Sequence, residues 1–251
     1  MIGAIRSEFR KLLTVRSTYF IIGISLLITA FFAGFIEGVR VDPANLRNAG
    51  LLASESRSAI VFVGLILAFA GLLLLGHEYR YNTIMYTLTS SNRRLKNLVA
   101  KVFVVSVFAL FTGLLVTFFS PMCTIIGLHF SAPVRHGLTL VPQTFTYWPI
   151  IWHCVFVGWG YAMYAFILIA IIRSQVGAIV TFLLVPLIGE NILAHLLNDN
   201  SKYLPFTSLQ SIVESNIVKG TTPTHSALIV LLYVAVGLGV SAILFARRDA
   251  N

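Results

Sequence analysis

The sequence predicts an all-α integral membrane protein. It has six transmembrane helices, an N-terminal interfacial amphipathic helix, and a short helix on the cytoplasmic side between spans 2 and 3. Three observations carry this. The chain is 57% hydrophobic and 11% charged, with a mean hydropathy of +0.88, whereas a soluble domain is about one quarter charged. Its apolar residues fall into six runs, each long enough to cross about 30 Å of hydrocarbon. Its cations gather in alternate intervals between those runs. The whole of 1–251 reads as one transmembrane domain.

Residues 2–14 open the chain as an amphipathic helix. Ile2, Ile5, Phe9, Leu12 and Leu13 share one face, while Ser7, Glu8, Arg10, Lys11 and Thr14 occupy the other, with Arg6 at the margin. Such a helix lies in the headgroup plane with its apolar side down. The interfacial segment is taken as 1–18. The first apolar run follows, Tyr19–Gly38, and is too long for the core of a cleavable signal, so it is expected to stay as an anchor.

The remaining runs are Ser58–Leu75, Val102–Ile126 with Pro121 late in it, Ile150–Ile172, Val176–Leu197 and Ser226–Ala246. Phe145, Tyr147, Trp148 and Trp152 flank the fourth run and suit an aromatic belt at the outer interface. Cys123 and Cys154 fall within or beside spans and read as small buried apolar residues. The intervals at the N-terminus, 77–101, 173–175 and the C-terminus hold twelve of the eighteen Lys and Arg residues. The positive-inside rule then puts both termini in the cytoplasm of a cell (plasma or inner) membrane. The same rule accounts for the net charge of +9, so no nucleic-acid partner is implied.

The interval 77–101 is the densest in charge. Arg80, Arg93, Arg94, Lys96 and Lys101 face a single acid, Glu78. Inside it Tyr81, Ile84, Met85 and Leu88 repeat at i, i+3, i+4 and i+7, one stripe of a short helix. Ser90 and Ser91 suit the cap of the next helix. The stripe can dip into the membrane surface or fill a groove on another protein, and periodicity leaves both open.

The order Glu78, Asn82-Thr83, Leu88, a Ser-Ser-Asn turn, Arg93-Arg94 and Lys101 resembles the corresponding loop of ABC-2 type transporter permeases. Arg247-Arg248-Asp249 and Leu204-Pro205-Phe206 are similar to segments of that family too. Asn82 stands where the family has Gly, and the family's Pro in the turn is missing. The resemblance implies that 77–101 carries a coupling helix for a separate ATP-hydrolysing subunit. Glu78, Tyr81, Ile84, Met85, Leu88, Arg93 and Arg94 are then the contact residues. It also implies two ATPase copies per complex, a second permease copy or paralogue beside this one, export as the direction, and ATP with Mg2+ bound in the partner. The segment 198–225 becomes an extracellular, re-entrant piece near the outer gate.

The chain's own chemistry agrees with a separate motor. None of its five lysines precedes Ser or Thr, so it carries no phosphate-binding Gly-x-x-x-x-Gly-Lys-Ser/Thr loop. It has no His-Glu-x-x-His set and no Gly-x-Ser-x-Gly turn, and no enzymatic chemistry or cofactor is expected within it. Glu190, Asn191 and His195 are the polar residues of the fifth span. A carboxyl there marks either a paired structural contact or part of a substrate path, and Asn191 and His195 stand where they could join it. Gly237 with Ser241, and Ala235 with Gly239, permit close helix approach in the sixth span, either within one subunit or at a dimer seam. Spans poor in fixed charge favour a lipidic or amphipathic solute. Two other readings remain: an ion-coupled secondary transporter, and a membrane anchor or sensor that recruits a soluble protein. The unequal halves of the chain count against the internal repeats of the former.

Overall fold

A computed structural model describes residues 2–43, 46, 59–81, 94–138, 147–213 and 221–247. The described residues are helical, with no strand among them. The elements are α1 (Ile2–Thr14), α2 (Arg16–Val39), α3 (Ala59–Arg80), α4 (Arg94–Phe130), the one-turn α5 (Ala132–Arg135), α6 (Trp148–Ile172), α7 (Gln175–Leu197), α8 (Pro205–Val213) and α9 (Pro223–Arg247). Six of them, α2, α3, α4, α6, α7 and α9, are long and apolar enough to span a membrane. The protein is an all-α, multi-pass membrane protein.

The described residues of the expected spans sit inside these helices, Ser58 lying outside the described residues, with one large difference. α4 is 37 residues long, about 55 Å at 1.5 Å per residue. It overruns the hydrocarbon by several turns, so Lys101 lies in its second turn and does not open it. The helix continues through Pro121.

α3 and α6 form the centre, with 61% and 67% of their span residues buried; α2, α7 and α9 are buried over only 17–22% and turn broad apolar faces outward. Small residues allow the central contacts. A Cβ on Gly71 of α3 would meet the Ala162 carbonyl of α6 at 2.5 Å. A close backbone crossing joins α2 to α4, where a Cβ on Gly127 would collide with the Gly34 carbonyl. Gly34 and Gly38 are spaced by four, a small-xxx-small pair that sets the approach. They lie where α2 widens to π-helical turns over Ala30–Val39. In the sixth span Gly237 packs on Ile167 of α6 within the same chain, and among the described residues nothing lies within 4 Å of a Cβ built on Gly239.

α1 does not lie wholly on its surroundings. Leu12 is buried in the core, and Ile5 and Phe9 pack against it. Ile2 and Leu13 remain exposed. The elbow between α1 and α2 is pinned by Thr18, whose hydroxyl donates to the Leu12 carbonyl at 2.5 Å, and by Tyr19, whose hydroxyl donates to Leu13 at 2.8 Å.

Several contacts gather the polar ends at one pole of the bundle. α1 meets the end of α3 and the start of α4. The α6–α7 turn lies beside α3, with Gln175 against Gly76. Arg173, in the left-handed region at φ 58°, donates to the Leu244 carbonyl of α9 at 3.3 Å. Ser174 caps α7 by accepting from the Gly177 N–H.

Candidate functional site

The pole just described holds a buried ion-pair cluster. Glu8 comes from α1, Glu78 from the last turn of α3, and Lys101 from the second turn of α4. The Lys101 ammonium donates to Glu78 Oε1 at 2.6 Å and to Glu8 Oε2 at 2.8 Å. Lys11 donates to Glu8 Oε1 at 2.8 Å and to Glu78 Oε1 at 2.9 Å. Lys101 is fully buried, and Glu8 and Glu78 nearly so. Two carboxylates and two ammoniums balance, which removes the heavy cost of an uncompensated buried charge.

Burial alone would raise the Glu8 pKa, but the Lys101 and Lys11 ammoniums outweigh it and hold the carboxyl below its ordinary value. Burial likewise opposes the charge on Lys11, and the hydrogen bonds and fields of Glu8 and Glu78 raise its pKa above the ordinary lysine value.

Glu8 belongs to the polar side of the α1 pattern, and its carboxylate is buried against Lys101. The carboxylate of Glu78, a residue expected to flank a contact with a soluble partner, is buried against two lysines. Tyr81 is exposed; its ring stacks on that of His77 at 6.1 Å between centroids, and the Arg80 guanidinium lies over it at 5.5 Å from the centroid. Ile84, Met85, Leu88 and Arg93, and the side chain of Arg94, lie outside the described residues.

Glu190 resolves differently from its neighbours. It is buried in α7, directly after π-helical turns at Val185–Gly189. Its Oε1 accepts from the Phe206 N–H at 2.8 Å, and its Oε2 accepts from the Thr207 N–H at 2.7 Å and the Thr207 hydroxyl at 2.9 Å. These amides belong to the first turn of α8, which has no intrahelical acceptor for them. Glu190 therefore caps α8 from another helix, and its charge complements the α8 dipole. Asn191 and His195 are exposed and do not join it; Asn191 donates back to Leu187 at 2.7 Å.

The capped helix is itself inserted into the bundle. Phe206, Leu209 and Ile212 are buried, and the Phe206 ring packs on Tyr161, Tyr164 and Phe182 at 5.5–5.8 Å between centroids. Ser211 shares a 2.9 Å hydrogen bond with Ser226 of α9. Cys123 and Cys154 are buried, and neither forms a disulfide among the described residues. Among the described residues no group of His, Cys, Asp and Glu is placed to hold a metal.

No family model matches this chain, and no curated protein matches it.

Proposed function

We propose that this chain is the membrane-spanning permease subunit of an ATP-driven exporter, worked by a separate cytoplasmic ATPase that docks on the basic loop between α3 and α4. The observation that supports this reading is the Glu8–Lys11–Glu78–Lys101 cluster. It ties the two stems of that loop to each other and to α1. A push on the loop is then shared by α3, the buried centre of the bundle, and by α4, the longest helix. A loop on loose stems would dissipate the same push.

In this reading Ile84, Met85 and Leu88 fill a groove on the ATPase, with Tyr81, Arg93 and Arg94 around them. Glu78 acts from behind the contact by holding the stem. The positive-inside rule puts this pole, with both termini, in the cytoplasm. ATP binding biases the spans between two packings through the different contacts made in each. A second copy of the chain pairs with this one around the path.

The test is co-purification from the native membrane. Ile84→Asp with Leu88→Asp should release the ATPase while the permease stays inserted. Unchanged co-purification, or full transport by the chain alone in liposomes without nucleotide, overturns the reading.

A further inference from the structure

A cavity of about 570 Å³ opens beside the ion-pair cluster, between α1, α2, α3 and α4. Its wall along α3 and the residue that follows it is one stripe, Ala70, Leu73, Leu74, His77, Glu78 and Tyr81, at helical spacings of three and one. The stripe is about 16 Å long at 1.5 Å per residue. The turn holding His77, Glu78 and Tyr81 is polar, and the turn below it, holding Ala70, Leu73 and Leu74, is apolar. The α2 wall repeats the gradient, with Ser17 and Thr18 above Ile21, and Phe108 of α4 adds to the apolar floor. A molecule that fits both walls has a polar head and a hydrocarbon tail.

Two features of the polar end state what kind of head. Glu78 is 6% exposed, and its Oε2 is buried with no hydrogen-bond partner among the described residues. A buried carboxylate oxygen without a donor is costly. Lys11, whose side chain is 46% exposed, has three N–H donors and spends two of them on Glu8 and Glu78. The residues lining the cavity thus include a carboxylate with one unpartnered oxygen and an ammonium with one N–H left over.

We propose that this cavity is a binding site for an aminophospholipid of the bilayer. Its primary ammonium donates to Glu78 Oε2, its phosphate accepts from Lys11, and one acyl chain lies along Ala70, Leu73, Leu74, Ile21 and Phe108. The head completes the hydrogen bonding of the cluster that clamps the loop stems. This site stands whether or not an ATPase works the loop.

The test titrates the purified full-length protein with lipids under nondenaturing mass spectrometry. The probes are phosphatidylethanolamine, its mono- and dimethyl derivatives, phosphatidylcholine and phosphatidylglycerol, all with the same acyl chains. Affinity is expected to fall along the methylation series, by about tenfold between the primary amine and phosphatidylcholine, the loss of a hydrogen bond to a charged group. Glu78→Gln should remove this discrimination. Leu73→Trp, which fills the cavity and leaves the cluster intact, should lower binding of every lipid. The methylation series reads the same contact in the unaltered protein, so it decides even where Glu78→Gln fails to fold. Equal affinity across the series overturns the proposal, and so does tightest binding of phosphatidylglycerol, which would mean recognition by lysine alone.

Discussion

Lys101 Nζ lies 2.6 Å from Glu78 Oε1, joining residues 23 positions apart across the basic loop. Neither residue could be buried alone. Each is also bonded into α1, Lys101 through Glu8 and Glu78 through Lys11. The contact fixes the separation of the α3 and α4 stems at the pole where the loop begins and ends.

Removing Lys101 leaves two carboxylates facing each other with only the half-exposed Lys11 between them. Lys101→Met is expected to destabilise the protein by about 3–5 kcal/mol, the usual loss when one member of a buried pair is deleted. Thermal unfolding in detergent reads this as a lowered midpoint. Adding Glu8→Gln to Lys101→Met should recover part of it, because one uncompensated charge is gone.

The same cluster sets a pH window. Glu8 has its pKa lowered on folding, so its contribution is present above 4.5 and is lost as pH falls through the lower folded value. Lys11 has its pKa raised, so its contribution is present below 10.5 and is lost as pH rises through the higher folded value. The melting midpoint should therefore be insensitive to these two groups between about pH 5 and pH 10. It should fall on both sides, and Glu8→Gln should flatten the acid limb.

Glu190→Gln keeps the shape of the α8 cap and removes its charge. The amide offers one oxygen where the carboxylate offered two, and its NH2 would face a donor. We expect a loss of about 1–3 kcal/mol, read as a lower thermal midpoint and faster proteolysis near α8. Transport that is abolished with stability unchanged would instead assign Glu190 to the substrate path.

Gly127→Val tests the α2–α4 crossing. The first added carbon already collides with the Gly34 carbonyl, and that partner is backbone, which cannot rotate away. The two helices must separate, at a cost of about 1–3 kcal/mol or more. Gly239→Val, at a position with open space around it, should leave the midpoint nearly unchanged and serves as the control.

Some of the site was readable before folding and some was not. Glu78, Lys101 and Glu190 drew attention because charged residues in or beside apolar runs need an explanation. Their partners did not. Glu8 looked like one more polar residue on an amphipathic helix, and the Phe206 and Thr207 amides leave no mark in a sequence. Gly34-x-x-x-Gly38 was a readable signal for close packing, yet the sixth-span pairs drew attention instead. A spacing of four small residues says that approach is possible and not which helix approaches.

The sequence by itself determined the class and the number of spans, because only a helix satisfies its own backbone over a long apolar run. Helix length, apolar content and the positions of polar breaks are local properties, and they sufficed for that. The tertiary structure decided which charges are buried together, which helices are central, and that α8 inserts among the spans under a carboxylate from α7. Those outcomes depend on distances between segments remote in the chain, and charge pairing acts only across distances that folding creates.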